Sequence, residues 1–403
     1  MPKRNGMETK ELLNTAETRL LKVTNRPGII MQSGHGLTLT DTEGREYLDF
    51  IGGWAVNCLG HSPRVIAEAL AEQSRTLVNA SPSFYNVPML EYAELLTRHC
   101  CFDRAFFTST GAEANEGAIK LARKYGSKYK NGASDIFTTF RGFHGRTLTT
   151  MAATGKEEWE KLFEPKTRGF IKTIFNDVES VRQAVTKNTC AILIEPVQGE
   201  GGVNVADQDY VKKLRELCDQ EDILLIFDEI QTGMGRTGKL FCYEHYGIEP
   251  DIMTLGKGIG GGFPLSALLA KERLNIFDPG DQGGTYTAQP LAMAVGLAVL
   301  KEILDTNLAE HSRKMGNIMI KKLTELSDRY EIKNIRGMGL LIAFDLTKTK
   351  GADFVAKCLN DRLLINSPKE MSIRLMPPLV VAEEEIEKAI SVFKNNLAER
   401  QTA

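Results

Sequence analysis

The stretch CAILIEPVQGEGGVNVADQDYVKKLRELCDQEDILLIFDEI, residues 190–230, decides the fold. Its two ends, CAILIEP (190–196) and ILLIFDE (223–229), are short apolar runs that each reach a carboxylate at the C-terminal side. Between them, over about 208–221, apolar residues recur at three- and four-residue steps, the period of an amphipathic helix. Strand, helix, strand is a crossover unit, and such units build parallel sheets covered by helices on both faces. The same alternation extends outward. AFFTS (105–109) leads through TGAEAN (110–115) into a predicted helix at about 113–128, followed by DIFTTF (135–140). DIMTLGKGIGGG (251–262) and PLSALLA (264–270) continue the series on the other side. The expectation is an α/β fold with a mainly parallel sheet.

The flanks read differently. LTLTDTEGREYLDF (37–50) predicts two short strands around Glu43-Gly44, and helical stretches are expected at about 63–78 and 88–99. A long helix at about 288–306 leads into mixed helix and strand, with strands at LLIAFDL (340–346) and SIRLMP (372–377). The organisation expected is a large α/β domain over 62–300 and a smaller α+β domain built from both chain ends, 1–61 and 301–403.

At 403 residues the chain is long enough for two to three domains and for a core without disulfides or metals. Hydrophobic residues at 42% and charged residues at 25% exclude a disordered or fibrous protein. Fifty basic against 52 acidic residues leave a formal net charge of −2, so nothing marks the chain as a nucleic-acid or membrane binder, and small-molecule partners are expected. No apolar run approaches the roughly 18–20 residues that cross a bilayer. The N-terminal MPKRNGMETKELLNTAET is polar and lacks the apolar core of a secretory signal. Seven cysteines with no CxxC pair point to free thiols in a reducing, cytoplasmic setting, with the adjacent Cys100 and Cys101 read as packing residues.

Two glycine-rich stretches imitate nucleotide sites. GMGRTGKL (233–240) has a GxxxxGK core, but Leu240 replaces the hydroxyl residue that reaches Mg²⁺, and four residues separate the loop from its strand. GKGIGG (256–261) fits GxGxxG, yet GFPLSALLA (262–270) after it reads as a strand and offers no helix N-terminus for a pyrophosphate. A different constellation accounts for more of the chain. Lys257 follows the apolar strand DIMTL, where ligands bind in open α/β sheets, and its glycine neighbours admit a bulky group. Asp228 ends a buried run, and a carboxylate there needs a cationic partner such as a ring nitrogen. Thr110, Gly111 and Ala112 open a helix and offer a hydroxyl and N–H groups to a phosphate. Phe143 in FHGRT (143–147) can stack on a flat ring, and Arg146 can meet an anionic substrate. An imine-forming lysine, an aspartate for a pyridinium, an anion site and a stacking ring together describe pyridoxal 5′-phosphate.

In order and spacing, GAEAN (111–115), FHGRT (143–147), EPVQGEGGV (195–203), DEIQTGMGRTG (228–238), PDIMTLGKGIGGGFP (250–264) and RLMPPL (374–379) resemble the class III, or ω-amino acid, aminotransferases of fold type I. Within them the resemblance is to the acetylornithine/ornithine group, and it spans most of the chain. It implies a mainly parallel seven-stranded sheet in the large domain and pyridoxal phosphate as cofactor, with no metal. Lys257 would bond the cofactor and shuttle a proton, and Asp228 would keep the pyridine nitrogen protonated. Gln231 would lie near the phenolic oxygen, with Phe143 and Val197 on the two ring faces. Thr110, Gly111 and Ala112 would hold the phosphate, completed by Thr285 in GGTYTAQP (283–290) from a partner subunit, which implies a homodimer with shared active sites. For the substrates, the resemblance gives Arg146 to a distal carboxylate and Arg374 to the α-carboxylate of 2-oxoglutarate. Glu200 would pair with Arg374 while an ω-amine is bound and move away otherwise.

The implied reaction passes the terminal amine of an ornithine-like or N-acylated basic amino acid to 2-oxoglutarate, giving a semialdehyde and glutamate. Departures bear on the donor. QGGTYTAQP (282–290) differs from the family's usual segment, Ser109-Thr110 stands where Asn-Ser is common, and Trp54 in GGWAV (52–56) lies where the donor's tail is expected. The same chemistry on GABA, a diamine or another ω-amine is the alternative, and a catalytically silent dimeric binding protein is the reading from another class.

Overall fold

The computed structural model describes residues 8–398; the outer parts of the expected smaller domain, 1–7 and 399–403, lie outside the described residues. At its centre is a seven-stranded sheet. Numbered within the sheet in chain order, its strands are β1 (Arg104–Thr108), β2 (Asp135–Thr139), β3 (Phe170–Thr173), β4 (Thr189–Ile194), β5 (Leu224–Asp228), β6 (Ile252–Leu255) and β7 (Ser266–Ala270). Their spatial order is β1-β7-β6-β5-β4-β2-β3. Strands β3, β2, β4, β5 and β6 pair in parallel, as the 190–230 stretch predicts. Strand β7 runs antiparallel to both β6 and β1, although its composition matches the others. The cause is the connection: residues 256–265 contain only the single 3₁₀ turn Lys257–Gly260, too short for the crossover that a parallel return needs.

Every residue of β4, β5, β6 and β7 is buried, which explains why these strands read as continuous apolar runs rather than alternating ones. Burial of each Leu or Ile in them contributes about 1.5–3 kcal/mol, enough to hold polar strand ends in fixed positions. The helix Gln208–Glu221 buries Tyr210, Val211, Leu214, Leu217 and Cys218 and stops at Asp222 in the left-handed conformation. The helix Gly111–Tyr129 starts two residues before its predicted position because Thr110 and Glu113 form a reciprocal cap. Its Gly126 is required by close approach, since a Cβ there would lie 1.8 Å from the Ala133 carbonyl oxygen. The long helix Pro290–Asp305 begins with proline at its first position and packs on Arg64–Thr76 and Val87–Arg98.

The chain ends meet in a sheet. Strands Thr38–Asp41 and Glu46–Asp49 form the predicted hairpin around Gly44, and Glu46–Asp49 pairs in parallel with Leu363–Leu364. A second four-stranded sheet holds Ile332–Met338, Leu341–Leu346, Ser372–Leu375 and Asn366–Lys369. Within it Arg374 lies between Ala343 and Asn366 on neighbouring strands. The two nucleotide-like stretches behave as their misfits require: 233–240 forms turns followed by the 3₁₀ turn Cys242–His245, and 256–261 opens no α-helix. All seven cysteines are free; Cys100 and Cys101 are half-buried against the main core.

Candidate active site

The carboxyl ends of β5 and β6 and the start of the helix Gly111–Tyr129 converge on a cavity of about 230 Å³. Gly111, Ala112, Phe143, Glu200, Asp228, Gln231 and Lys257, all singled out in the sequence, line it. So do His144 and Glu195, to which the sequence reading gives no role.

Asp228 is the last residue of β5 and is buried. Its Oδ2 accepts from Asn115 Nδ2 at 2.8 Å and lies 2.8 Å from His144 Nδ1; its Oδ1 accepts from the Ile230 N–H at 3.1 Å. Asn115 is itself fixed: its Oδ1 accepts from Thr254 Oγ1 on β6 at 2.8 Å, and its amide donates to the His144 carbonyl at 2.7 Å. The carboxylate is therefore aimed by three elements at once. Asn115 and His144 stand inside the GAEAN and FHGRT stretches, and the signal for Asn115 was a polar side chain on a helix face otherwise lined by Ala114, Gly117 and Ala118.

Lys257 follows β6 directly, with φ at +48°, a left-handed conformation that lysine rarely adopts. Withdrawal from water pushes its ammonium down to about 8, the nearby Glu200 carboxylate opposing the shift and Arg374 adding to it. Glu195 has the opposite displacement: burial, and then the Asp228 charge, raise its pKa well above the ordinary carboxylate range. Its Oε1 accepts from the Phe143 N–H at 2.8 Å, which ties the proposed stacking residue to the end of β4.

Arg374 is fully buried and Glu200 about a quarter exposed, with Arg374 Nη2 2.8 Å from Glu200 Oε1. Burial alone would raise the Glu200 pKa, but the Arg374 charge, then Lys257, bring it down to about 2. Gln231 places Oε1 3.5 Å from Arg374 Nη1, while its Nε2 is a buried donor with no hydrogen-bond partner among the described residues. At the helix start, Thr110 Oγ1 accepts from the Glu113 N–H, and the Glu113 carboxylate accepts from the Ser109 and Thr110 N–H groups. The Gly111 and Ala112 N–H groups remain among the helix's unpaired first donors, pointing an anion-attracting terminus at the cavity wall they form.

Not every expected residue reaches the cavity. Arg146 is exposed, its guanidinium 6.0 Å from the Phe143 ring centroid. Val197 is buried in a short strand pair with Asn204–Val205 and does not line the cavity. Thr110 is exposed and serves as the helix cap, and Thr285 is exposed in the loop before Pro290. Trp54 is 51% exposed and belongs to a run, Gly52 to Ala55, in which all four residues have left-handed φ.

The family model for class-III aminotransferases matches residues 21–397. An acetylornithine aminotransferase of Ralstonia nicotianae is 48% identical over 385 residues, covering 94% of this chain and 96% of that protein. One from Methanocaldococcus jannaschii is 44% identical over 376 residues, covering 93% and 94%. Among solved structures, the ornithine aminotransferase of Toxoplasma gondii superposes with a TM-score of 0.93 at 30% identity, covering 97% of this chain and 95% of that one. A second structure of that enzyme, matching at the same TM-score and identity over 96% and 94% of the chains, is described as having partial occupancy of PLP at its active site. Fold, strand-end residues and full-length similarity agree, and this chain belongs to the class III aminotransferase family.

Proposed function

We propose that the chain is a pyridoxal-phosphate-dependent ω-aminotransferase that moves the terminal amino group of acetylornithine, ornithine or a close analogue to 2-oxoglutarate. The observation that carries the reading is the meeting of Lys257, Asp228 and the Gly111–Ala112 helix start in one cavity. The residues fit the cofactor: a lysine of lowered pKa for its aldehyde, a carboxylate for its ring nitrogen, open N–H donors for its phosphate, and the unpartnered Gln231 Nε2 for its phenolic oxygen. Bound there, it would supply an electrophilic aldehyde and an electron-accepting ring.

The protein's own groups do the rest. Lys257, with a substantial neutral fraction near neutral pH, can accept and return a proton at Nζ. Asp228, oriented by Asn115, His144 and the Ile230 N–H, supplies a fixed negative charge. Glu200, closed on Arg374, hides the guanidinium from α-carboxylates and leaves room for a terminal amine. When Glu200 withdraws, Arg374 offers the two-pronged geometry suited to the α-carboxylate of 2-oxoglutarate. Arg146 and Phe143 keep the roles the family resemblance gives them, Val197 stands outside the cavity wall and is given none, and Trp54 faces the donor's tail. With purified protein and pyridoxal phosphate, glutamate formation is expected with acetylornithine or ornithine as donor and to be weaker with GABA or putrescine; inactivity on both preferred donors would sink the reading.

The homodimer belongs to the same proposal. Phe84, Tyr85, Val87, Leu90 and Tyr286 are large apolar side chains left exposed, and the Phe84–Leu90 face borders the loop of Thr285. Contiguous apolar surface of this kind marks an interface, and Thr285 would complete a partner's phosphate site across it. We assign 62–300 to the large domain and both chain ends to the smaller one, supported by the pairing of Glu46–Asp49 with Leu363–Leu364. Free cysteines support a cytoplasmic location, and among the described residues no helix is long and apolar enough to cross a membrane.

Two variants test the gate. Arg374→Ala is expected to slow the 2-oxoglutarate half-reaction about 10²-fold and the donor half-reaction far less, because only the first loses a buried charge-assisted contact. Glu200→Ala, by leaving Arg374 permanently open, is expected to raise activity with glutamate as donor about tenfold relative to an ω-amine. Single-turnover spectroscopy separates the half-reactions; equal losses in both would refute the assignment.

A further inference from the structure

A carboxylate that leaves a buried arginine must go somewhere. If Glu200 released Arg374, an ionised group only a quarter exposed would lose its hydrogen-bonded counter-charge and would depend on the remaining cations around it, Lys257 and Lys156. The turn carrying Glu200 is closely packed on both sides. A Cβ at Gly199 would lie 1.6 Å from Gln231 Oε1, and one at Gly201 would lie 2.9 Å from the Arg141 carbonyl oxygen. Close packing at both flanking glycines favours rotation of the Glu200 side chain over movement of its backbone.

One cation stands on the far side. Lys156 Nζ lies 3.7 Å from Glu200 Oε2, the oxygen not used by Arg374. The ammonium is held at two aromatic rings, 5.2 Å from the Phe143 centroid and 5.0 Å from that of Trp159, which pair edge-on at 5.8 Å. Such placement favours a cation and restrains an otherwise flexible side chain. Beyond it opens a separate cavity of about 910 Å³, whose walls include Gly155, Lys156 and Gly201, so the space next to the Glu200 turn is not filled.

We propose that Lys156 is the second seat of the Glu200 carboxylate: the side chain rotates from Arg374 to Lys156 when a dicarboxylate acceptor binds, and Lys156 is a positioning residue that sets acceptor affinity. The proposal rests on the reading of Glu200 and Arg374 as a gate. It also explains why Phe143 carries a cation at its ring, since the cofactor-facing aromatic and the gate's open position then share one residue.

The test uses the holoenzyme with glutarate, a non-reacting dicarboxylate, titrated by calorimetry, alongside single-turnover rates for both half-reactions. Lys156→Met keeps the aliphatic stem and removes the charge. It is expected to weaken glutarate binding and slow the 2-oxoglutarate half-reaction about tenfold, leaving the ω-amine half-reaction within about twofold; Lys156→Arg is expected to restore both. In a Glu200→Ala background, where no carboxylate needs seating, Lys156→Met is expected to add nothing. An unchanged glutarate affinity, an equal loss in both half-reactions, or an effect that persists without Glu200 would overturn the seat. An unchanged donor preference in Glu200→Ala alone would instead sink the gate reading beneath it.

Discussion

Lys257→Ala is expected to abolish the covalent attachment of the cofactor, read as borohydride fixation to the chain, and to lower turnover by about 10⁴-fold, with no loss of folding stability. The argument starts from the strand end. Lys257 stands half-buried at the cavity, and its pKa falls to about 8 because withdrawal from water disfavours the charged form more than Glu200, Glu195 and Asp228 restore it. At pH 7.5 a group of pKa 8 is about one quarter neutral, against about one part in a thousand for an ordinary lysine. That neutral fraction is what an attack on an aldehyde and a proton transfer both require. Removing the side chain removes both functions, while stability gains from losing a desolvated cation. The same shift has a signed pH dependence: reconstitution of cofactor-free protein is expected to accelerate as pH rises through about 8 and to level off above it. A midpoint near the ordinary lysine range, or cofactor still fixed to the chain by borohydride in Lys257→Ala, would refute the assignment. Partial recovery with a small primary amine would separate the proton-transfer role from cofactor binding.

The two residues on which the proposed chemistry rests, Lys257 and Asp228, are legible in the sequence because each stands at the end of a run whose burial is written in its composition. ILLIFD and DIMTL can only be interior strands, and a charged group at such an end needs a partner. Direction was not legible for β7, since SALLA has the same composition as a parallel strand and only the length of 256–265 decides how it returns. Asn115, His144 and Glu195 were missed for a related reason. Their function lies in partners 29 to 139 residues away, and no local spacing records that Asn115 bridges Asp228 and Thr254. Glu195 did carry the signal used for Asp228, a carboxylate at the end of an apolar run, and that signal applied to both would have found it. Arg146 and Thr285 show the converse. Their residue types and motifs were readable, but both are exposed in a single chain, and the groups they would meet are a substrate and a second subunit. Likewise the left-handed run at Gly52–Ala55 that presents Trp54 begins at a glycine packed against the Met376 carbonyl, 324 residues away in sequence, where a Cβ would lie 2.8 Å away.

Asp228→Asn is expected to preserve the fold and lower turnover about 10³-fold, because the change removes charge from a position whose geometry is otherwise fixed. A carboxylate oxygen only accepts, so Oδ2 can take hydrogens from both Asn115 Nδ2 and His144 Nδ1 at 2.8 Å. An asparagine has one accepting oxygen. Turned toward Asn115 and His144, it keeps their bonds and sets its NH₂ against the Ile230 N–H, which costs about 1–3 kcal/mol for a buried unsatisfied donor. Asp228→Ala lacks both oxygens, takes one of three hydrogen bonds from Asn115 and leaves His144 Nδ1 and the Ile230 N–H without their acceptor, so its thermal stability is expected to fall well below that of Asp228→Asn. Activity, in contrast, is expected to be lost to a similar degree in both, since both lack the negative charge that a cationic ring nitrogen would face. Asn115→Ala supplies the missing comparison. It keeps the charge and frees one side of it, and is expected to retain most of the stability and about a tenth of the activity. Calorimetric melting together with steady-state rates would order the three variants. More than a tenth of wild-type turnover in Asp228→Asn would show that the hydrogen-bonded framework around the carboxylate, and not its charge, is what the reaction uses.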